Sequence, residues 1–310
     1  MSLAIFVALN AQDVFGERPN IVFILSDDQG LNGTSVAMHP EIDFSKSPVI
    51  QTPSLEKLAA QGMRFSAAYA PASVCSPTRC SLQLGKGSAT TGWTKAAPTM
   101  TAADGYRLIP PWIDRNLSTE TTTIAEVLKT AGYATAHYGK WHLNGGGPSA
   151  HGYDDDDGNN NNEYAFRFTD PKPADIFGMA RRASDFMKRC KASKKPFFIQ
   201  MSWHALHAPE NALRSTIAKY ERLQENSRQR IPQTAAITED LDTGVGMVMD
   251  AVDRLGLTNN TYVIYMSDNG GGGGKRGQLN GAKLPVSRGW RSFPLRTGRV
   301  QPAQFGICHL

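Results

Sequence analysis

Apolar residues recur along the chain in short blocks, each closed by a polar cluster. Residues 20–25 (Asn20-Ile21-Val22-Phe23-Ile24-Leu25) form a continuous run ending in Ser26-Asp27-Asp28, the pattern of a parallel strand buried on both faces. Residues 133–138 are rich in strand formers and run into Gly139-Lys140-Trp141-His142. Residues 197–203 run into the segment 204–207, and residues 261–266 into Ser267-Asp268-Asn269-Gly270. Residues 63–68 are also strand-like. Helical spacing fills the gaps. Pro53 opens a helix that Gly62 stops, and residues 121–129 are helical with Gly132 in the C-cap role. Residues 177–190 are amphipathic, and residues 234–255 form a long helix with Ile237, Leu241, Val245, Val248 and Val252 on one stripe.

Strands alternating with helices predict an α/β fold: a mostly parallel sheet with right-handed crossovers, sandwiched by helices. The length of 310 residues suits one large α/β domain or two ordinary ones. A formal charge of +5 is modest, and its one short cluster, residues 181–195, reads as the wet face of a helix rather than a nucleic-acid surface. Four cysteines (Cys75, Cys80, Cys190, Cys308) are too few for a disulfide framework and lack C-x-x-C spacing. No stretch is long enough to span a membrane. The short apolar run at residues 3–9 lacks a basic flank and reads as a partial signal peptide within a leader, residues 1–17. Residues 154–162, acidic and Asn-rich, read as a flexible surface loop.

The polar clusters share one placement: each follows the carboxyl end of a predicted strand, the edge where ligands bind in open α/β sheets. Four strands therefore deliver acidic pairs and lysine/histidine groups to one crevice. Asp27, Asp28, Asp268 and Asn269 offer hard oxygen ligands for Ca²⁺ or Mg²⁺, and carboxylates so crowded repel unless a cation neutralises them. His204 and His207 lack the helical i, i+4 spacing of a zinc-protease motif, so His204 reads as structural or substrate-lining. Five glycines before Lys275 fail the phosphate-loop pattern at Asn269 and Arg276.

Cys75-Ser76-Pro77-Thr78-Arg79, preceded by Ala72-Ser73-Val74 and followed by Gly85, carries a C-x-P-x-R motif. With it come, in order, Arg18-Pro19-Asn20 through Asp27-Asp28, Gly139-Lys140-Trp141-His142, His207-Ala208-Pro209, Ser267-Asp268-Asn269-Gly270 and Asn280-Gly281-Ala282-Lys283. Over residues 18–288 the chain resembles the sulfatase family, with Gln83-Leu84 departing from its pattern. The resemblance implies an alkaline-phosphatase-like fold and conversion of Cys75 to formylglycine, whose hydrate is the nucleophile. It implies a Ca²⁺ or Mg²⁺ ion at Asp27, Asp28, Cys75, Asp268 and Asn269. By the same resemblance Arg79 bonds the diol, Lys140, Lys283 and His207 hold sulfate oxygens, His142 is the base, and His207 or Lys283 the acid. The implied partners are a sulfated small molecule or carbohydrate and a formylglycine-generating or anaerobic sulfatase-maturating enzyme. The implied location is periplasmic or secreted.

The family pattern expects Glu-Gly-Gly-x-Arg-x-Pro from position 288, where Arg288-Gly289-Trp290-Arg291-Ser292-Phe293-Pro294 stands. Read one nucleotide later, these codons can encode that motif, and the Trp290 codon forces one glycine. Residues 289–310 are therefore expected to be a frameshifted tail, with the C-terminal part of the fold missing. Two other readings accompany sulfate ester hydrolysis: a phosphonate or phosphate monoester hydrolase of the same superfamily, and an inactive truncated product.

Overall fold

A computed structural model describes residues 18–42, 45–96, 105, 107, 116–225 and 231–271, with the backbone of 307–309. The leader 1–17, Lys283 and most of the tail 289–310 lie outside the described residues. The strands are β1 (Asn20–Ser26), β2 (Met63–Arg64), β3 (Ala134–Gly139), β4 (Asp155–Asp156), β5 (Phe197–Ser202), β6 (Thr261–Ser267) and β7 (Ile307–His309). The helices are α1 (Pro53–Gln61), α2 (Cys75–Leu84), α3 (Ser88–Thr91), α4 (Ile124–Thr130), α5 (Ile176–Ser193), α6 (Arg214–Leu223) and α7 (Pro232–Arg254).

One sheet runs β2-β7-β6-β1-β5-β3-β4. The pairs β6–β1, β1–β5, β5–β3 and β3–β4 are parallel, and β7 pairs antiparallel with β6 and β2. Alternation along each strand divides the core. Val22, Ile24, Ile199, Met201, Val263 and Tyr265 pack with α1, α5 and α7 in one apolar cluster. Ile21, Phe23 and Phe198 face the other way, against Cys80 of α2 and Ala125 and Leu128 of α4. A sheet covered on both faces needs continuous apolar strands, which is why β1 and β5 read as unbroken runs. All five stripe residues of α7 are buried.

Several expectations need correction. Only Met63 and Arg64 of residues 63–68 pair as strand, and both are exposed. The helix expected from residue 121 starts at Ile124, because Thr123 caps it in a reciprocal capping box with Glu126. The acidic tract 154–162 is ordered rather than a flexible loop. Asp155 and Asp156 form β4, and the Asp157 carboxylate accepts from Gly139 N at 2.8 Å and from Arg182 at 2.7 Å. Two cationic residues of 181–195 are its partners, so that stretch is not a purely solvated face: Arg189 pairs with Asp155, and Arg182 with Asp157 and also with Asp175.

The contact of α7 with α1 carries a titratable cap. The N-cap residue of α1, Thr52, makes no side-chain cap bond, and Asp242 of α7 accepts instead from Ser54 N at 2.9 Å and Leu55 N at 2.8 Å. Burial pushes its carboxyl up from 3.8 to about 6. A carboxyl raised in the native state favours folding at low pH, and that contribution is lost as pH climbs from about 4 through about 6. Relative to Asp242→Asn, wild-type stability should fall by about 3 kcal/mol over that window in urea unfolding. A difference that stays flat between about pH 4 and pH 7 would contradict this origin.

Candidate active site

Strands β6, β1, β5 and β3 are consecutive in the sheet, and their carboxyl ends carry the four polar clusters side by side. Asp27 and Asp28 follow β1; Lys140 and His142 follow β3; His204 and His207 follow β5; Asp268 and Asn269 follow β6. Backbone bonds lock these ends together. Asp268 N donates to Ser26 O at 2.9 Å, Asp27 N to Ala205 O at 2.8 Å, and Lys140 N to Ser202 O at 2.7 Å. Gly139, at φ 92°, is required before Lys140, since a Cβ there would meet Ser202 O at 2.2 Å. Asp28 and His142 both take φ of 59°, a left-handed conformation rare outside glycine that concentrates where side-chain placement matters.

Cys75 is the first residue of α2, which points its N-terminus at this edge. Its Sγ donates to Asp27 Oδ1 at 3.1 Å and lies 4.0 Å from Asp28 Oδ1. Asp27, Asp28, Cys75 and Asp268 are all buried and offer ligand atoms within 4.8 Å of one another. Two cations compensate the carboxylates. Arg79, one turn along α2 and 1% exposed, donates to Asp268 Oδ2 at 2.8 Å and to Lys140 O at 2.6 Å. The buried Lys140 Nζ donates to Asp27 Oδ2. Asn269 Nδ2 donates to Asp28 Oδ1 at 2.6 Å, while its Oδ1 is buried with no partner among the described residues.

This field shifts protons. Burial, then the Asp27 charge, pushes the Asp268 carboxyl up to about 7. Burial, then Asp27, also pushes the Cys75 thiol well above its ordinary range, so the sulfur keeps its proton. Thiolate chemistry of the cysteine-protease kind is therefore disfavoured at this position.

A family model described as Sulfatase matches residues 19–290. The chain belongs to the sulfatase family. It is 28% identical over 284 residues to N-acetylgalactosamine-6-sulfatase of Canis lupus familiaris, covering 82% of this chain and 50% of that protein. The crystal structure of Ps i-CgsB aligns with a TM-score of 0.67 at 23% identity, covering 94% of this chain and 66% of that one. A protein of the alkaline phosphatase superfamily from Vibrio parahaemolyticus aligns with a TM-score of 0.55 at 18% identity, covering 86% and 58%. The fold is accordingly alkaline-phosphatase-like. The chain spans about half the length of the curated relatives it matches.

In this member of the sulfatase family the motif residues Cys75 and Arg79 come together with Asp27, Asp28, Lys140, Asp268 and Asn269. His142 sits at the end of the β3 loop, where its carbonyl accepts from Ser76 Oγ at 3.1 Å. His207 lies half-buried at the rim, its backbone N donating to His204 O at 2.9 Å. Lys283 is outside the described residues. The Gln83 departure has a packing reason. Gln83 is 1% exposed, donates to Gln200 Oε1 at 2.9 Å and accepts from the Tyr153 hydroxyl at 3.1 Å. A polar residue fits there because β5 presents Gln200 opposite it. Sequence reasoning gave little weight to His204, which is 1% exposed at the centre of the same edge.

Proposed function

We propose that the chain hydrolyses sulfate esters, with Cys75 converted to formylglycine and a Ca²⁺ or Mg²⁺ ion bound beside it. The observation that carries this reading is the buried meeting of Cys75 with three carboxylates and two cationic side chains. The residues fit a divalent cation. Asp27, Asp28, Asp268 and Asn269 are hard oxygen donors, the Asn269 Oδ1 is a buried acceptor with no partner among the described residues, and Asp268 is pushed up by burial and then by its acidic neighbour Asp27. The position-75 side chain stands next to them as a further ligand. When bound, such an ion polarises a sulfate oxygen and eases deprotonation of a nearby hydroxyl.

The remaining roles are those the family resemblance implies for this chain's residues. A protonated, buried thiol is a poor nucleophile, and sulfur attack would leave a stable thiosulfate ester. The hydrated aldehyde at position 75 supplies one hydroxyl for attack and a second whose deprotonation expels sulfate. Arg79 fixes the position-75 side chain from one turn away. Lys140, His207 and Lys283 supply positive charge to the sulfate oxygens, where negative charge grows in the transition state. His142 takes the proton of the second hydroxyl, and His207 or Lys283 protonates the leaving alcohol.

We assign residues 18–288 to the catalytic domain and a sulfated small molecule or carbohydrate as substrate, in keeping with the amino-sugar sulfatase among its relatives. A formylglycine-generating or anaerobic sulfatase-maturating enzyme is the partner we assign, with a periplasmic or secreted location. Among the described residues, no helix is long and apolar enough to cross a membrane. Comparing the sulfate and phosphate monoesters of one phenol tests the reading. kcat/KM should favour the sulfate by at least about tenfold, roughly 1.4 kcal/mol of barrier. Faster turnover of the phosphate would assign the chain to phosphate monoester chemistry instead.

A further inference from the structure

Among the four oxygen ligands only Asp28 has a left-handed backbone, and the residue after it, Gln29, is fully buried. Gln29 bonds in two directions. Its backbone N donates to Ser267 Oγ at 3.1 Å, and that hydroxyl donates onward to Asn269 O at 2.7 Å. Its Oε1 accepts from the Tyr265 hydroxyl at 2.5 Å and from Ser26 Oγ at 3.2 Å. Its Nε2 donates to Gly33 O at 3.4 Å, and only a glycine leaves room for its stem, since a Cβ at Gly33 would meet Gln29 Cγ at 2.8 Å.

The sheet register explains why these groups meet. Ser26 lies beside Ser267 and Ile24 beside Tyr265, so all four side chains point to one face, toward the apolar cluster with α1 and α7. Helix α2, which brings Cys75 and Arg79, packs on the opposite face. The acidic ligands are therefore held from both sides of the sheet. Asp27, Asp28 and Asp268 repel one another until a cation joins them. Strand ends free to relax would splay these carboxylates, and re-ordering them on binding would weaken affinity. Hydrogen bonds one layer behind the ligands remove that cost. The Tyr265 phenol suits such a place, because burial pushes its pKa up and it stays a donor.

We infer that Tyr265, Gln29 and Ser267 are positioning residues for the divalent cation, a brace that holds Asp28 and Asn269 at binding separation. This rests on the reading of Asp27, Asp28, Asp268 and Asn269 as a cation site and adds the residues that set its affinity. The brace acts at both ligands. Gln29 follows Asp28 directly, and Ser267 holds the Asn269 carbonyl. Tyr265 fixes the Gln29 side chain from β6, so the two strand ends cannot slide apart independently. A hydroxyl that served the fold alone would alter the melting temperature and leave cation affinity where it was.

Calorimetric titration of Ca²⁺, and separately of Mg²⁺, into the chelator-treated full chain provides the test. Tyr265→Phe keeps the ring and deletes one hydroxyl. It should raise the Kd of whichever ion the wild type binds by about tenfold, the lower end of what outer-layer partners contribute. Ser267→Ala cuts the link from Gln29 N to Asn269 O and should weaken binding as well. The double variant should lose less than the product of the two single losses, because either cut frees the same strand ends. Tyr220→Phe is the control. Its hydroxyl, fully buried on α6, accepts from Gln51 N at 3.0 Å, so its loss should lower the melting temperature and leave Kd unchanged. If Tyr265→Phe is unfolded at the assay temperature, Ser267→Ala decides on the same scale. Folded variants that bind the ion as tightly as wild type, or an equal loss in Tyr220→Phe, overturn the brace while the cation reading stands. A wild-type chain that binds neither ion overturns the cation reading and the brace with it.

Discussion

Replacing Cys75 with alanine is expected to lower sulfate release from an aryl sulfate by about 10⁵-fold or more, the scale seen when a catalytic nucleophile is removed. The same change should leave the fold nearly untouched. Cys75 opens α2, where alanine is an excellent helix former, and the truncation removes one buried sulfur atom. The expected loss of stability is about 1 kcal/mol, within the range for small core truncations. The two readouts therefore diverge, and a sulfate assay run beside a thermal melt measures both. A variant that kept about a hundredth of the activity would move the nucleophile to another group. An unfolded variant would make position 75 a keystone of packing, which its environment of carboxylates rather than apolar side chains argues against.

The opposite pattern is expected at Arg79, where activity and stability should fall together. This guanidinium is 1% exposed, 2.8 Å from Asp268 and 3.9 Å from Asp27, and it also donates to the Lys140 carbonyl. Arg79→Ala leaves the buried Asp268 carboxylate without its ion-pair partner and takes from Asp27 the more distant of its two cations, a change that costs about 3–5 kcal/mol. Set against a total stability of about 5–15 kcal/mol, that leaves the chain close to unfolding. Arg79→Lys keeps the charge but not the fork, and should cost less. The exposed pair Lys188–Asp185 is the control: breaking it with Lys188→Ala should cost under about 1 kcal/mol, because water screens it. Urea unfolding of the three variants checks the ranking. An Arg79→Ala protein within about 1 kcal/mol of wild type would mean that the carboxylates find another partner.

The parts of the fold legible in the sequence are those with an unambiguous period. β1, β5 and β6 are buried runs that end in polar clusters, and α7 carries a stripe in which Ile237, Leu241 and Val245 all lie fully buried. The parts that escaped depend on partners far along the chain. α6 buries only Thr216 and Tyr220, with Ile217 partly buried against the core, an apolar stripe too short to stand out among its charged residues. Residues 154–162 look like an acidic loop until Arg182 and Arg189, some thirty residues on, neutralise them. The two-residue β2 pairs with the backbone of Ile307–His309, a partner no local pattern could supply.

The site divides along the same line. The ends of β1, β3 and β6 announced themselves because acidic pairs and a lysine after buried strands have few structural uses. The C-x-P-x-R motif tied α2 to them. For His204 the sequence leaves a structural and a substrate-lining reading side by side, because spacing alone cannot tell a satisfied core histidine from an unmatched one. Only burial without a hydrogen-bond partner, beside Tyr164, separates the two. The placement of segment 160–168 was hidden for a related reason: Asn160 O accepts from His142 N and Phe168 O from Asn211 Nδ2, contacts that only the tertiary fold supplies.

The central claim is that position 75 carries an aldehyde-derived nucleophile beside a cation-binding cluster. Mass spectrometry of the peptide spanning Cys75, from protein produced together with a formylglycine-generating enzyme and active on an aryl sulfate, tests it directly. The account predicts formylglycine, as aldehyde or hydrate, at Cys75. An unmodified thiol at that position in protein that still releases sulfate would contradict it.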